Sequence, residues 1–129
     1  MKENEQINTL LKEFSLGNKI IAYKQLLKIL NNRKDDLLLR YNIAVIEQEL
    51  NFNQKARLNY NFIIQKQNNL KAMVNLYNLD IKEEKYQNAL IIINKILEID
   101  KKLDFVIKDK AFVFLKLNRI KESKNICAQ

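Results

Sequence analysis

Residues 84–100 read EKYQNALIIINKILEID, a charged turn followed by an aromatic, a small residue and a run of apolar side chains ending in an acid. Within it Ala89, Ile93, Ile96 and Leu97 fall at i, i+4, i+7 and i+8, which is one face of an α-helix. The small residue decides the reading because it returns. Ala22, Ala56, Ala89 and Ser123 are separated by 34, 33 and 34 residues. The same intervals separate Leu10, Ala44, Tyr77 and Ala111, then Gly17, Asn51, Glu84 and Asn118, then Leu26, Tyr60, Ile93 and Cys127. Independent markers on one period, with helical apolar patterning on either side of a turn, predict stacked helix-turn-helix units.

The period divides the chain into units over about 3–36, 37–69, 70–103 and 104–129. In the first, Ile7, Leu10, Leu11 and Phe14 share a helical face, and Gly17 supplies the left-handed residue that closes the helix. Asn18 is expected to cap a second helix that buries Ile21, Ala22, Leu26, Ile29 and Leu30. In the second, Leu39, Tyr41, Ile43, Ala44, Ile46 and Leu50 precede a turn at Asn51-Phe52-Asn53, and Ala56, Tyr60, Ile63 and Ile64 follow it. One residue is missing between Ile64 and Tyr77, and a loop near Gln67-Asn68-Asn69 is where a deletion costs least. The third unit places Met73, Leu76 and Leu79 before a turn at 83–86, and its second helix is apolar on nearly all sides. That helix is expected to be covered on both flanks by the first helices of units three and four.

The fourth unit sets Ile107, Ala111, Val113, Phe114 and Leu117 before a turn at Asn118-Arg119, with Ile120, Ser123, Ile126 and Cys127 after it. A helix from there to Gln129 is about ten residues long, shorter than its counterparts, so this repeat reads as truncated. The expectation is a fragment of a longer protein or a short natural form, with self-association through an uncapped C-terminal end as the alternative. Helices that cross at about 8–10 Å admit only small side chains, so Ala22, Ala44, Ala56, Ala89, Ala111 and Ser123 are expected at crossings.

Composition agrees with an all-α chain. Among 129 residues there is no proline and one glycine, 47% are apolar, and no apolar run is longer than that from Ala89 to Ile93, far short of a bilayer span. A charged N-terminus leading into an amphipathic pattern lacks the features of a secretory signal, so a soluble, cytoplasmic chain with no membrane partner is expected. The formal charge is +8, yet lysine outnumbers arginine 19 to 4 and the basic residues are spread along every helix. Phosphate recognition favours arginine forks or a concentrated stripe, which argues against nucleic acid. The single cysteine excludes an internal disulfide, and a chain without histidine lacks a proton switch near neutrality. No phosphate loop, nucleophile-base pair or spaced metal ligands are present, so neither catalysis nor a cofactor is expected.

Tyr41-Asn42-Ile43-Ala44 and Asn75-Leu76-Tyr77 in first helices resemble the tetratricopeptide repeat signature. So do Glu84-Lys85-Tyr86-Gln87-Asn88-Ala89-Leu90 and Ile96-Leu97-Glu98-Ile99-Asp100 in a second helix, and the resemblance covers essentially the whole chain. Lys34, Asn68 and Lys101 stand where the family has proline, and Leu10 and Tyr77 where it has a small residue. HEAT and armadillo repeats have longer periods, about 40 to 47 residues. The resemblance implies a single domain over 1–129, a right-handed α-solenoid of antiparallel helix-turn-helix repeats, about four in number. It also implies that first helices line a concave groove accepting a peptide or helix of a partner protein.

On that groove Asn8, Asn42, Asn75 and Asp109 recur two residues before the small positions, again at 34, 33 and 34. Carboxamides so spaced each offer a donor and an acceptor to a peptide backbone, although 18 asparagines make composition alone a competing explanation. The same face should present Ile7, Leu11 and Phe14, then Leu38, Tyr41 and Val45, then Lys71, Val74, Asn78 and Lys82, then Phe105, Lys108 and Phe112. Packing against a neighbouring helix is the alternative for any one of them. A partner segment with hydrophobic anchors and acidic character near Lys71, Lys82 and Lys108 suits this face. Asn42 and Lys71 also fall on two positions of the family's carboxylate clamp, but Ile7, Leu11 and Asn75 occupy the other three and cannot supply its charge. The expected function is a non-catalytic protein–protein interaction adaptor; the alternative is a recruiting or structural arm of a longer enzyme such as a transferase.

Overall fold

The computed structural model describes residues 2–15 and 17–128. Among them all regular structure is helical: α1 (Lys2–Ser15), α2 (Lys19–Asn32), α3 (Leu37–Glu49), α4 (Asn53–Lys66), α5 (Leu70–Lys82), α6 (Tyr86–Ile99) and α7 (Asp104–Ala128). No helix among the described residues is long and apolar enough to cross a membrane.

Three hairpins close in the same way. The N–H of Gly17 donates to the Phe14 carbonyl at 3.2 Å and that of Asn18 to Glu13 at 3.1 Å. Asn51 donates to Gln48 at 3.0 Å and Phe52 to Glu47 at 2.7 Å; Glu84 donates to Ile81 at 3.0 Å and Lys85 to Asp80 at 2.7 Å. This pair of bonds is the Schellman motif, which needs a left-handed residue at its centre. Gly17, Asn51 and Glu84 supply it with φ of 109°, 63° and 59°. The sequence period is thus also a period of backbone conformation. Asn18 makes no side-chain cap bond, contrary to the sequence expectation. With φ −85° and ψ 51° its backbone is not in the extended conformation from which a capping side chain reaches the first-turn N–H groups.

Between hairpins the links are capped by side chains. Asp36 accepts from the N–H of Leu39 and Asn69 from that of Ala72, each at 3.0 Å. The single-residue deletion lies where expected, since α4 ends at Lys66 and α5 begins at Leu70, leaving 67–69, against 33–36 and 100–103 in the other two links.

The helices fall into two compact units, Met1–Gln67 and Asn68–Gln129. In the first, α1 packs on α2, α2 on α3 and α3 on α4. Its core gathers Leu10, Phe14, Tyr23, Leu26, Leu39, Ile43 and Ile46, and Ala22, Ala44 and Ala56 are fully buried, as crossing residues should be. Ile21 is 61% exposed and does not join them; Tyr23 takes the buried place. In the second unit α5 packs on α6 and α6 on α7, burying Met73, Leu76, Tyr77, Leu79, Ala89, Ile93 and Ile96. The α6 helix is not covered all round: Ile91 and Ile99 are each more than half exposed.

The fourth hairpin is absent. Helix α7 continues through Asn118 and Arg119 to Ala128 where the period predicts a turn. Asparagine in a helix interior costs at most about 0.7 kcal/mol, so local preference alone does not force a break. The consequence is visible in burial. Val106 and Val113 form the packed side of α7, while Ala111, Ile107 and Phe114, expected to be buried, are exposed. These three lie on the side that a second helix would cover in a closed hairpin. The side chains of Ser123, Ile126 and Cys127 lie outside the described residues.

Candidate functional site

In the first unit, first helices α1 and α3 bring two rungs of the asparagine series to one cleft. Asn8, exposed, and Asn42, half-buried, line a cleft of about 360 Å³ together with Ile7, Arg33, Leu38 and Leu39. Its rim is tied by Arg33, which pairs with Asp36 at 2.9 Å and Glu3 at 3.3 Å and donates to the Asn4 carboxamide at 3.2 Å. Because Asp36 also caps α3, one ionic cluster holds the start of α1 against the α2–α3 link. Leu38 stands 72% exposed beside the cleft. Tyr41 and Val45 are half-buried, and the Tyr41 ring meets Tyr60 edge-on at 6.1 Å. Ile7 and Phe14 belong to the core and Leu11 packs against it, so the apolar face of α1 is spent on folding.

In the second unit, Lys71, Asn78 and Lys82 are exposed on α5, and Val74 and Asn75 are half-buried. On α7, Phe105, Lys108 and Phe112 are exposed, with the Lys116 ammonium 5.5 Å from the Phe112 ring. Asp109 is committed within the unit, accepting a 2.5 Å hydrogen bond from the Tyr77 hydroxyl. Burial, and then this bond, raises the Tyr77 phenol above its ordinary range.

The sequence reading did not single out a buried acid where α2, α3 and α4 meet. Glu47 is 2% exposed and accepts from Tyr23 Oη at 2.6 Å and Asn59 Nδ2 at 2.5 Å. Asn59 in turn accepts from Arg40 at 2.9 Å, and the Arg40 guanidinium lies 3.9 Å from the Phe62 ring centre. Desolvation pushes the Glu47 carboxyl upward, opposed by the Tyr23 and Asn59 bonds and by Lys55 and Arg40. Tyr23 also stacks on Phe52, at the start of α4, at 5.7 Å. Glu47, Asp80 and Phe114 share one repeat position at intervals of 33 and 34, but their differing chemistry gives no sequence signal for the network.

Two periods on from Tyr23 and Glu47 stand Leu90 and Phe114. They line a cleft of about 730 Å³ between α6 and α7, with Tyr86, Leu117 and Ile120. In the first unit the corresponding place is filled by α4. In the second it is open. Among the described residues no three His, Cys, Asp or Glu gather as metal ligands. Compared with known proteins, the chain matches no family model and no curated sequence.

Proposed function

We propose that this chain is a non-catalytic protein–protein interaction adaptor of the tetratricopeptide kind, its hairpins stacking as a right-handed α-solenoid whose first helices receive a peptide or helix of a partner. The observation that carries the reading is the cleft in which Asn8 and Asn42, one repeat apart, are presented together beside the exposed Leu38. Each carboxamide pairs with a peptide backbone N–H or carbonyl irrespective of sequence, at about 1 kcal/mol net per bond. Leu38 offers an apolar side chain of the partner a surface to cover. Exposed Lys71, Lys82 and Lys108 on the second unit and a formal charge of +8 favour a partner of acidic character. A cytoplasmic protein, rather than a nucleic acid, is the partner class this surface fits, because the positive charge is lysine-rich and dispersed.

A random peptide library displayed on phage, selected against the 129-residue chain, tests the proposal. Enriched peptides should lose up to about tenfold in affinity on Asn42→Ala or Asn8→Ala, with the thermal melt unchanged. Exposed Asn31→Ala on α2 should leave affinity alone. Peptides indifferent to both cleft substitutions would place recognition elsewhere and end this assignment.

A further inference from the structure

The second unit carries a helix-binding surface that nothing fills. Ile107 and Phe114 on α7 are 44% and 46% exposed, whereas Met73 and Asp80, one period earlier on α5, are each 2% exposed. Ala111 is exposed, whereas Tyr77 and Ala44 at the same repeat position are fully buried. Beside this strip opens the cleft lined by Tyr86, Leu90 and Phe114. In the α3–α4 and α5–α6 hairpins such a strip is packed beneath a helix that starts shortly after the left-handed residue and carries a small residue, α4 with Ala56 and α6 with Ala89, while on α1 only Leu10 of the equivalent positions is buried. By register, segment 119–128 is that helix, with Ser123 at the small position and Ile120 ahead of it. Yet α7 runs straight through Asn118. At 1.5 Å per residue the segment travels about 15 Å further along the same axis, and a straight helix cannot cover its own flank.

We propose that segment 119–128 of one copy covers the Ile107–Ala111–Phe114 strip and the α6–α7 cleft of a second copy, and the reverse, forming a reciprocally exchanged dimer hinged at Asn118. The occupant follows from register: the sequence that would close this hairpin is present in every copy, and in its own chain only its first residues, Ile120 and Lys121, reach the edge of the cleft. Exchange reproduces between chains the fit that a closed hairpin makes within one, and a two-fold pair satisfies both surfaces and stops there. This dimer is independent of the peptide cleft in the first unit.

Sedimentation equilibrium on the 129-residue chain tests it. A monomer–dimer equilibrium is expected, with Phe114→Lys and Ala111→Glu each raising the dimer Kd at least about tenfold. Both residues are exposed, so the melting temperature of the dilute protein should hold. Asn118→Gly, which eases a left-handed turn, should shift the population toward monomer. Spin labels at Cys127 and at Lys108→Cys, diluted with unlabelled protein, should report about 28 Å within each chain, the length of nineteen helical residues. A chain that stays monomeric at about 200 µM overturns the proposal, whether or not another protein binds the strip. So does an intrachain label distance well below the straight-helix value, which would mean that each copy closes its own hairpin.

Discussion

The corner where α2 and α3 meet α4 and the cleft between α6 and α7 are built from the same repeat positions, and they end differently. In the first, Tyr23 and Glu47 are buried under α4, joined by a 2.6 Å hydrogen bond and linked onward to Asn59. In the second, Leu90 and Phe114 stand in their places and line open space. The difference is made one residue at a time: Asn51 is left-handed and turns the chain back, while Asn118, at the same repeat position, stays helical. Two asparagines at one repeat position thus adopt different conformations, so the residues around the hinge, and not the asparagine itself, decide whether the turn forms.

Paired substitutions at equivalent positions sharpen this contrast, and the largest should be at Met73 and Ile107. Met73→Ala empties a fully packed position and should cost about 2–5 kcal/mol, whereas Ile107→Ala in the dilute monomer should cost within about 0.5 kcal/mol. Urea denaturation of both variants measures the gap; equal losses would mean that the strip on α7 is covered after all. Next come the crossing residues. Ala44→Leu should overpack the α3–α4 contact by about 1–3 kcal/mol, and Ala111→Leu should be nearly silent in the same assay.

The buried acid gives an effect of similar or smaller size with a distinctive pH signature. Tyr23→Phe removes one donor to Glu47 and should cost about 1–3 kcal/mol, because a buried acceptor is left without its partner. Burial raises the Glu47 carboxyl above its unfolded value, so its contribution is greatest below the ordinary glutamate range and is lost as pH rises through the folded value. In that window the unfolded chain releases the proton first. The stability of the native protein relative to Glu47→Gln should therefore fall as pH is raised from about 4 to 7. Melts at several pH values check the sign; a rising difference would show that the hydrogen bonds outweigh desolvation.

The smallest effect should have opposite signs at a closed turn and at the position where the turn fails to form. Glu84→Gly relieves a left-handed non-glycine residue and should stabilise by up to about 1 kcal/mol, while Asn118→Gly should weaken helix α7 by about 0.5 kcal/mol. Circular dichroism melts of the two variants resolve the direction of each.

Much of the architecture was legible in the residues because turns and crossings carry chemical demands. Gly17, Asn51 and Glu84 mark real turns, Ala22, Ala44, Ala56 and Ala89 real crossings, and the missing residue lies in the 67–69 link. What pattern could not show was which apolar residues would find a cover. Ile107 and Phe114 look like core by helical pattern, and their exposure depends on helices that are or are not placed beside them. The turn at Asn118 failed as an expectation for the same reason, since asparagine suits both conformations and its neighbours must choose. Of the proposed recognition face, the positions of Asn8 and Asn42 were readable from spacing. The Tyr77 bond that occupies Asp109, and the Glu47 network, depend on side chains from different helices meeting, which no spacing announces.

Backbone chemical shifts at three residues test the central claim most directly. Asn51 and Glu84 should show left-handed values and Asn118 helical ones, with helical shifts continuing on both sides of it. Left-handed values at Asn118, matching the other two, would mean that the fourth hairpin closes and that the contrast between the two regions does not exist in solution.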